Sequence, residues 1–303
     1  MPIAHREKRV YKNRGVIITL APSYETLERE SLEAVEPLWP KYPKAQRMWE
    51  MLVSDPEARS NWDMADYMTV NKLSYNDHGM SHALIVGTNS VRIFDLLVGA
   101  GIAPDVVTSG AGDVDDACLV TATATLLHDI GNQIHRKYHE MMGVGLARGL
   151  LDRLMPEIYP DVEQRVELRA FILHAIFSHD FDPPPLTFEA GVVAVADGTD
   201  VTKGRGRKAF DLGKVDTLRD SVSALAIDEV HIAAGKDYPV EITVVMNNSA
   251  GIFQIEDTLA KKVVKGPLAK WITVTAVTRP ADSPSDARII ERLTLKKGVF
   301  VAA

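Results

Sequence analysis

Nine histidines occur among the 303 residues, and seven of them fall between positions 78 and 179. Their neighbours are more telling than their number. His82 stands near the start of an apolar stretch. The pair His128-Asp129 closes Leu126-Leu127 and is followed by Ile130-Gly131. His139 opens His139-Glu140-Met141-Met142-Gly143, His179 closes Ala175-Ile176-Phe177-Ser178, and Asp197 closes Ala194-Val195-Ala196. Imidazoles and carboxylates beside apolar runs are costly unless they are paired or bind a metal. Mixed nitrogen and oxygen donors suit Mn, Fe, Ni, Co or Zn, whereas Ca prefers oxygen alone. The chain has one cysteine, Cys118, and structural zinc sites are usually built on cysteines. The set therefore points to an open, catalytic centre of one or two divalent transition metals. The plainer alternative is a group of hydrogen-bonded core histidines and helix-end carboxylates.

Helices must carry these residues. Apolar residues Leu84, Val91, Phe94 and Val98 recur at helical spacing over 81–98, and Gly99-Ala100-Gly101 ends that helix. Further helices are predicted over 115–128, 139–154, 161–179 and 187–197, with a Gly-rich loop over 105–113. Asp182-Pro183-Pro184-Pro185 terminates the fourth. Each candidate then sits at or near a helix end, where five helices can aim their ends at one point. Residues 1–22 read as irregular or weakly β, and 23–73 as short helices broken by Pro37, Pro40, Pro43 and Pro56. Beyond about residue 212 the pattern changes. Strands are predicted over 230–232, 240–245, 271–277 and 293–301, with a helix over 253–264. The expected architecture is mainly α: a helical lead over 1–75, an all-helical metal-binding domain over 76–212, and a smaller α+β domain over 213–303.

Placed in this order, His82, His128-Asp129 and Asp197 resemble the signature of the HD superfamily of metal-dependent phosphohydrolases. The segments 127–131, 139–143, 176–179 and 196–197 look closest to the HD domain of ribonuclease Y and its uncharacterised soluble relatives. The resemblance implies that His82, His128, Asp129 and Asp197 hold a first metal. It implies that His139 and His179 help hold a second, with Asp129 bridging. One departure stands out. Many two-metal members carry Lys after His-Asp-Ile-Gly, and this chain has Asn132. Arg136, Lys137 or the cluster Lys203-Gly204-Arg205-Gly206-Arg207-Lys208 are the candidate substitutes. Arg205 and Arg207 are expected to neutralise charge on a phosphoryl group, although a solvated loop explains such a cluster equally well. His78, His135 and His174 are expected behind the ligands or toward a substrate.

The net charge of −7 excludes a broad basic face and argues against long nucleic acid as the main partner. No apolar run of about twenty residues appears, so no membrane span is expected, and a cytoplasmic protein is the natural reading. A lone Cys118 within an apolar run reads as a buried, inert thiol. Three functions remain open at this point. The first is hydrolysis of a small phosphorylated substrate: a nucleotide, a cyclic nucleotide or a short oligonucleotide. The second is a di-iron oxygenase resembling myo-inositol oxygenase. The third is a non-enzymatic, metal-stabilised ligand-binding or regulatory protein. A homodimer is compatible with each.

Overall fold

A computed structural model describes residues 10–13, 16–19, 24–73, 75–202, 223, 225–279 and 290–302. A short antiparallel hairpin, β1 (Val10–Asn13) and β2 (Val16–Thr19), leads into α1 (Tyr24–Val35). The next region is the expected run of short helices with its breaks at the prolines. Pro37 and Pro40 lie in the 3-10 turn Glu36–Lys41 that follows α1, Pro43 opens α2 (Pro43–Ser54), and Pro56 opens α3 (Pro56–Asp66). Proline fits the first helical turn because the N–H it lacks would have no intrahelical partner there. Asp55 caps α3 by accepting from the backbone N–H groups of Glu57 and Ala58, and Arg153 holds the cap with hydrogen bonds of 2.6 and 3.0 Å.

The helices that follow match the predicted ones within a few residues: α4 (Met80–Gly99), α6 (Val114–Leu127), α7 (His139–Leu154), α8 (Val162–Ser178) and α9 (Phe188–Asp197). Between α4 and α6 the expected loop contains one helical turn, α5 (Asp105–Thr108). Helix α6 is the axis of the bundle. Every residue from Asp116 to Leu127 is buried, and α2, α4, α8 and α9 surround it. A helix apolar on all faces belongs in the centre of a core. Asp113 and Asp116 form a reciprocal capping box at its start. Thr121 and Thr125 donate to carbonyls four residues back, which lets hydroxyls lie in the core. At its far end the Trp62 indole N–H donates to the Leu126 carbonyl, satisfying a terminal acceptor two residues before His128. Cys118, near the start of the same helix, is buried, and burial pushes its thiol pKa well up, as expected for an inert group.

The C-terminal part is α+β. A five-stranded sheet has the order β3 (Ile227–Ala233), β4 (Val240–Met246), β5 (Ile272–Thr278), β6 (Arg292–Lys296), β7 (Val299–Ala302). All pairs are antiparallel except β4 with β5. A parallel pair needs a crossover, and the helical segment α10 supplies it. This runs through Gly251–Gln254, a π-helical turn Ile255–Ala260, and Lys261–Lys265. The single last strand expected over 293–301 is a hairpin. It turns at Lys297 and Gly298, both at positive φ (49° and 82°), the conformation that tight two-residue hairpins require. The expected boundary near residue 212 lies outside the described residues. No helix among the described residues is long and apolar enough to cross a membrane.

One buried acid here gives a pH-dependent expectation. Glu189, in the first turn of α9, accepts from the Val106 N–H at 2.9 Å. Burial raises its pKa to about 7 from an ordinary 4.5. The folded state therefore holds a proton that the unfolded chain releases between these values. Its contribution to stability is fully present below about 4.5 and is lost as pH rises to about 7. Glu189→Gln is expected to stabilise the protein at pH 8 by up to about 3 kcal/mol, with the gain shrinking toward pH 5. Urea unfolding at both pH values checks this, and a gain independent of pH would contradict it.

Candidate metal centre

Helix ends deliver the site. His82 lies in the first turn of α4, His128 follows the last residue of α6, and His139 opens α7. His179 follows α8, and Asp197 ends α9. All five side chains are buried, as is Asp129. The close approach of α7 to the turn Ile130–Gln133 rests on a missing side chain. A Cβ on Gly131 would lie 1.9 Å from the His139 carbonyl oxygen.

The imidazoles share one arrangement. Nδ1 of His128 meets the Thr125 carbonyl at 2.6 Å, and Nδ1 of His179 meets the Ile176 carbonyl at 2.7 Å. Nδ1 of His139 meets the Arg136 carbonyl at 3.0 Å, and Nδ1 of His82 meets Asp200 Oδ2 at 2.7 Å. Each of these partners accepts, so each Nδ1 carries a proton and each Nε2 faces the centre of the site, the orientation a metal-binding imidazole needs. Arg136 Nη1 lies 2.9 Å from His139 Nε2.

These Nε2 atoms converge. His82 Nε2 is 3.3 Å from His128 Nε2, 3.4 Å from Asp129 Oδ2 and 3.3 Å from Asp197 Oδ1. His128 Nε2 is 3.3 Å from Asp129 Oδ2 and 3.6 Å from Asp197 Oδ1. Four donors about 2.1 Å from a shared centre in a tetrahedron lie about 3.4 Å apart. These residues fit a divalent transition metal in both donor chemistry and spacing. A second group adjoins the first. His139 Nε2 is 3.1 Å from His179 Nε2 and 3.2 Å from Asp129 Oδ1. Asp180 lies 3.7 Å from His139 Nε2. Asp129 thus turns one carboxylate oxygen to each group. Asn132, where the resemblance would put Lys, is buried and orients that carboxylate, donating to Oδ1 at 2.8 Å.

The electrostatics favour a cation. Burial disfavours charge on His128, yet Asp129 and Asp197 outweigh it and raise its pKa to about 9. The same field attracts any cation between those carboxylates. Burial dominates at His179, and with His128 and His139 nearby its pKa falls to about 3, so it is a neutral donor. Burial opposes ionisation of Asp129 and Asp197, but the cationic neighbours hold both carboxyls well below the usual range. For Asp197 the foremost of these is Lys262.

Not every predicted residue comes to this place. His78 is buried beside His82, with ring centroids 5.8 Å apart, and contacts the Asn76 carbonyl. His174 Nε2 accepts from the Leu186 N–H at 3.0 Å, a link between α8 and the next segment. His135 is exposed and accepts from the Lys137 N–H. Lys137 stacks on the exposed Tyr138 ring, whereas Arg136 reaches the site. Arg205 and Arg207 lie outside the described residues. Three site residues went unforeseen. Asp180 follows His179 as Asp129 follows His128, and that repeated pair was a signal in the sequence. Asp200 stands one turn past Asp197. Lys262 comes from α10 and has no local signal.

Comparison with known proteins agrees with this geometry: an HD domain is present at residues 86–202. That span holds every residue of both donor groups except His82, which lies four positions upstream. Over 234 residues the chain is 36% identical to Uncharacterized protein MJ1020 of Methanocaldococcus jannaschii. The alignment covers 76% of this chain and 87% of the archaeal one. The chain belongs to the same family of HD-domain proteins as that archaeal relative. No solved structure matches it significantly.

Proposed function

We propose that this protein is a metal-dependent phosphohydrolase acting on a small phosphorylated substrate: a nucleotide, a cyclic nucleotide or a short oligonucleotide. The observation that carries this reading is the convergence of donors. Four buried imidazoles aim Nε2 at the shared carboxylates of Asp129 and Asp197, at the spacing that ligands of one ion adopt. Divalent metal bound there would polarise a phosphoryl oxygen and supply a water of lowered pKa as nucleophile. His82, His128, Asp129 and Asp197 would hold the first ion, and His139, His179 and Asp180 the second, with Asp129 shared. Asp200 fixes the ring of His82, and Asn132 fixes the carboxylate of Asp129. The helix-end origin of the ligands keeps them rigid, so little reorganisation is needed when substrate arrives.

The test is a panel of phosphomonoesters, cyclic nucleotides and short oligonucleotides, assayed with Mn, Co, Ni, Fe and Zn. Turnover of at least one class is expected, lost on chelation and recovered on adding metal. Metal-loaded protein that cleaves no phosphoester would contradict the proposal. Oxygen-dependent turnover with iron would favour the oxygenase reading instead.

A further inference from the structure

The C-terminal part of the chain reaches into this centre at one point. Lys262 is 5% exposed. Its ammonium is hydrogen-bonded to Asp197 Oδ2 and lies 3.5 Å from Asp180 Oδ1. The other oxygen of Asp197 belongs to the first donor group, so the ammonium stands one carboxylate away from it. Across Asp180 sits a second cation. Arg136 Nη2 is 3.6 Å from Asp180 Oδ2, and Arg136 Nη1 is 3.9 Å from Asp129 Oδ1. Arg136, Asp180 and Lys262 thus form an arc along one side of the centre.

The placement of Lys262 is built into the packing. Gly191 in α9 and Gly198, which caps its end, lie about two turns apart. A Cβ on Gly191 would lie 2.8 Å from Pro267 Cγ, and one on Gly198 would lie 3.0 Å from Leu259 Cα. Without side chains there, α9 accepts α10 and the turn after it closely. The π-helical turn Ile255–Ala260 immediately precedes Lys261–Lys265. Such turns shift the direction of the residues that follow and recur at functional sites. Lys265 adds a contact on the outer side, stacked 4.8 Å from the Phe181 ring centre.

A buried ammonium so near a metal site is costly if its only task is structural, because it opposes the cation that the site is shaped to hold. It becomes useful once an anion joins the site. We propose that Lys262 is the anion-binding cation of this centre. Arg136 is its partner across Asp180. The ligand class is a phosphoryl or similar oxyanion. This inference rests on the phosphohydrolase reading and deepens it.

The two possible roles of Lys262 predict opposite signs. If it binds the anion, Lys262→Met weakens binding of inorganic phosphate to the Mn-loaded protein by roughly tenfold or more. Mn itself then binds as tightly as before, or more tightly, because a nearby positive charge is gone. Lys262→Arg keeps much of the phosphate affinity. Calorimetry with Mn and then phosphate reads both quantities. A crystal structure of the wild-type protein with Mn and phosphate gives an answer that needs no variant to fold. It should place a phosphate oxygen within hydrogen-bond reach of Lys262 Nζ. Unchanged phosphate affinity in the Met variant, joint loss of Mn and phosphate in a folded Met variant, or a phosphate seated away from Nζ would each overturn the role. Wild-type protein that cleaves phosphoesters while Lys262→Met binds phosphate normally would remove only this inference. Wild-type protein that neither binds phosphate nor cleaves any phosphoester would remove the proposed function as well.

Discussion

Asp129→Ala is expected to empty the centre of metal and to abolish turnover while leaving the helices folded. Asp129 gives one carboxylate oxygen to each donor group, 3.3 Å from His128 Nε2 and 3.2 Å from His139 Nε2. Groups that merely orient metal ligands are typically worth about 10–100-fold. A ligand shared between two groups is worth more, and a fall of roughly a thousandfold or more in turnover follows. The fold should survive, because the Asp129 side chain makes no capping hydrogen bond to the turn it precedes. Elemental analysis, circular dichroism and turnover on the same preparation check all three statements. A variant that keeps metal and full activity would defeat the ligand assignment.

The largest structural effect is expected at Gly131. A Cβ there would lie 1.9 Å from the His139 carbonyl oxygen and 2.5 Å from the Gly143 nitrogen. Both are backbone atoms of α7, so no side chain can swing aside. Helix α7 would have to withdraw from the turn at Ile130–Gln133 and carry His139 with it. Gly131→Ala is expected to cost about 3 kcal/mol or more in stability, in the range of forced overpacking. Whatever folds should have lost the contacts of His139 with Asp129 and His179. Urea unfolding with and without Mn reads both effects. Wild-type stability in this variant would mean that α7 and the turn are not held this close.

The same closeness explains what could be read from the sequence. The candidate donors sit at the starts and ends of helices, so the residues at the edges of the apolar runs were also the residues that meet. His82, His128, Asp129, His139, His179 and Asp197 were visible for that reason. Asp180 was legible in the repeated His-Asp pair but was not read from it, and Asp200 was hidden beside a residue already assigned. Lys262 was hidden by topology. It enters through a parallel crossover and a π-helical turn, and neither leaves a mark in local composition. The hairpin at Lys297 and Gly298 was missed because its first turn residue is Lys, not the Asn or Asp that usually signals such a turn. The prolines at 43 and 56 were legible too: each stands first in a short helix and marks the break before it.

The most direct check is elemental analysis of wild-type protein purified without chelator, together with anomalous diffraction from its crystals. The expected result is a divalent transition metal within bonding distance of His82, His128, Asp129 and Asp197. Fully folded protein that takes up no such metal, even when dialysed against Mn or Co, would contradict the account at its root.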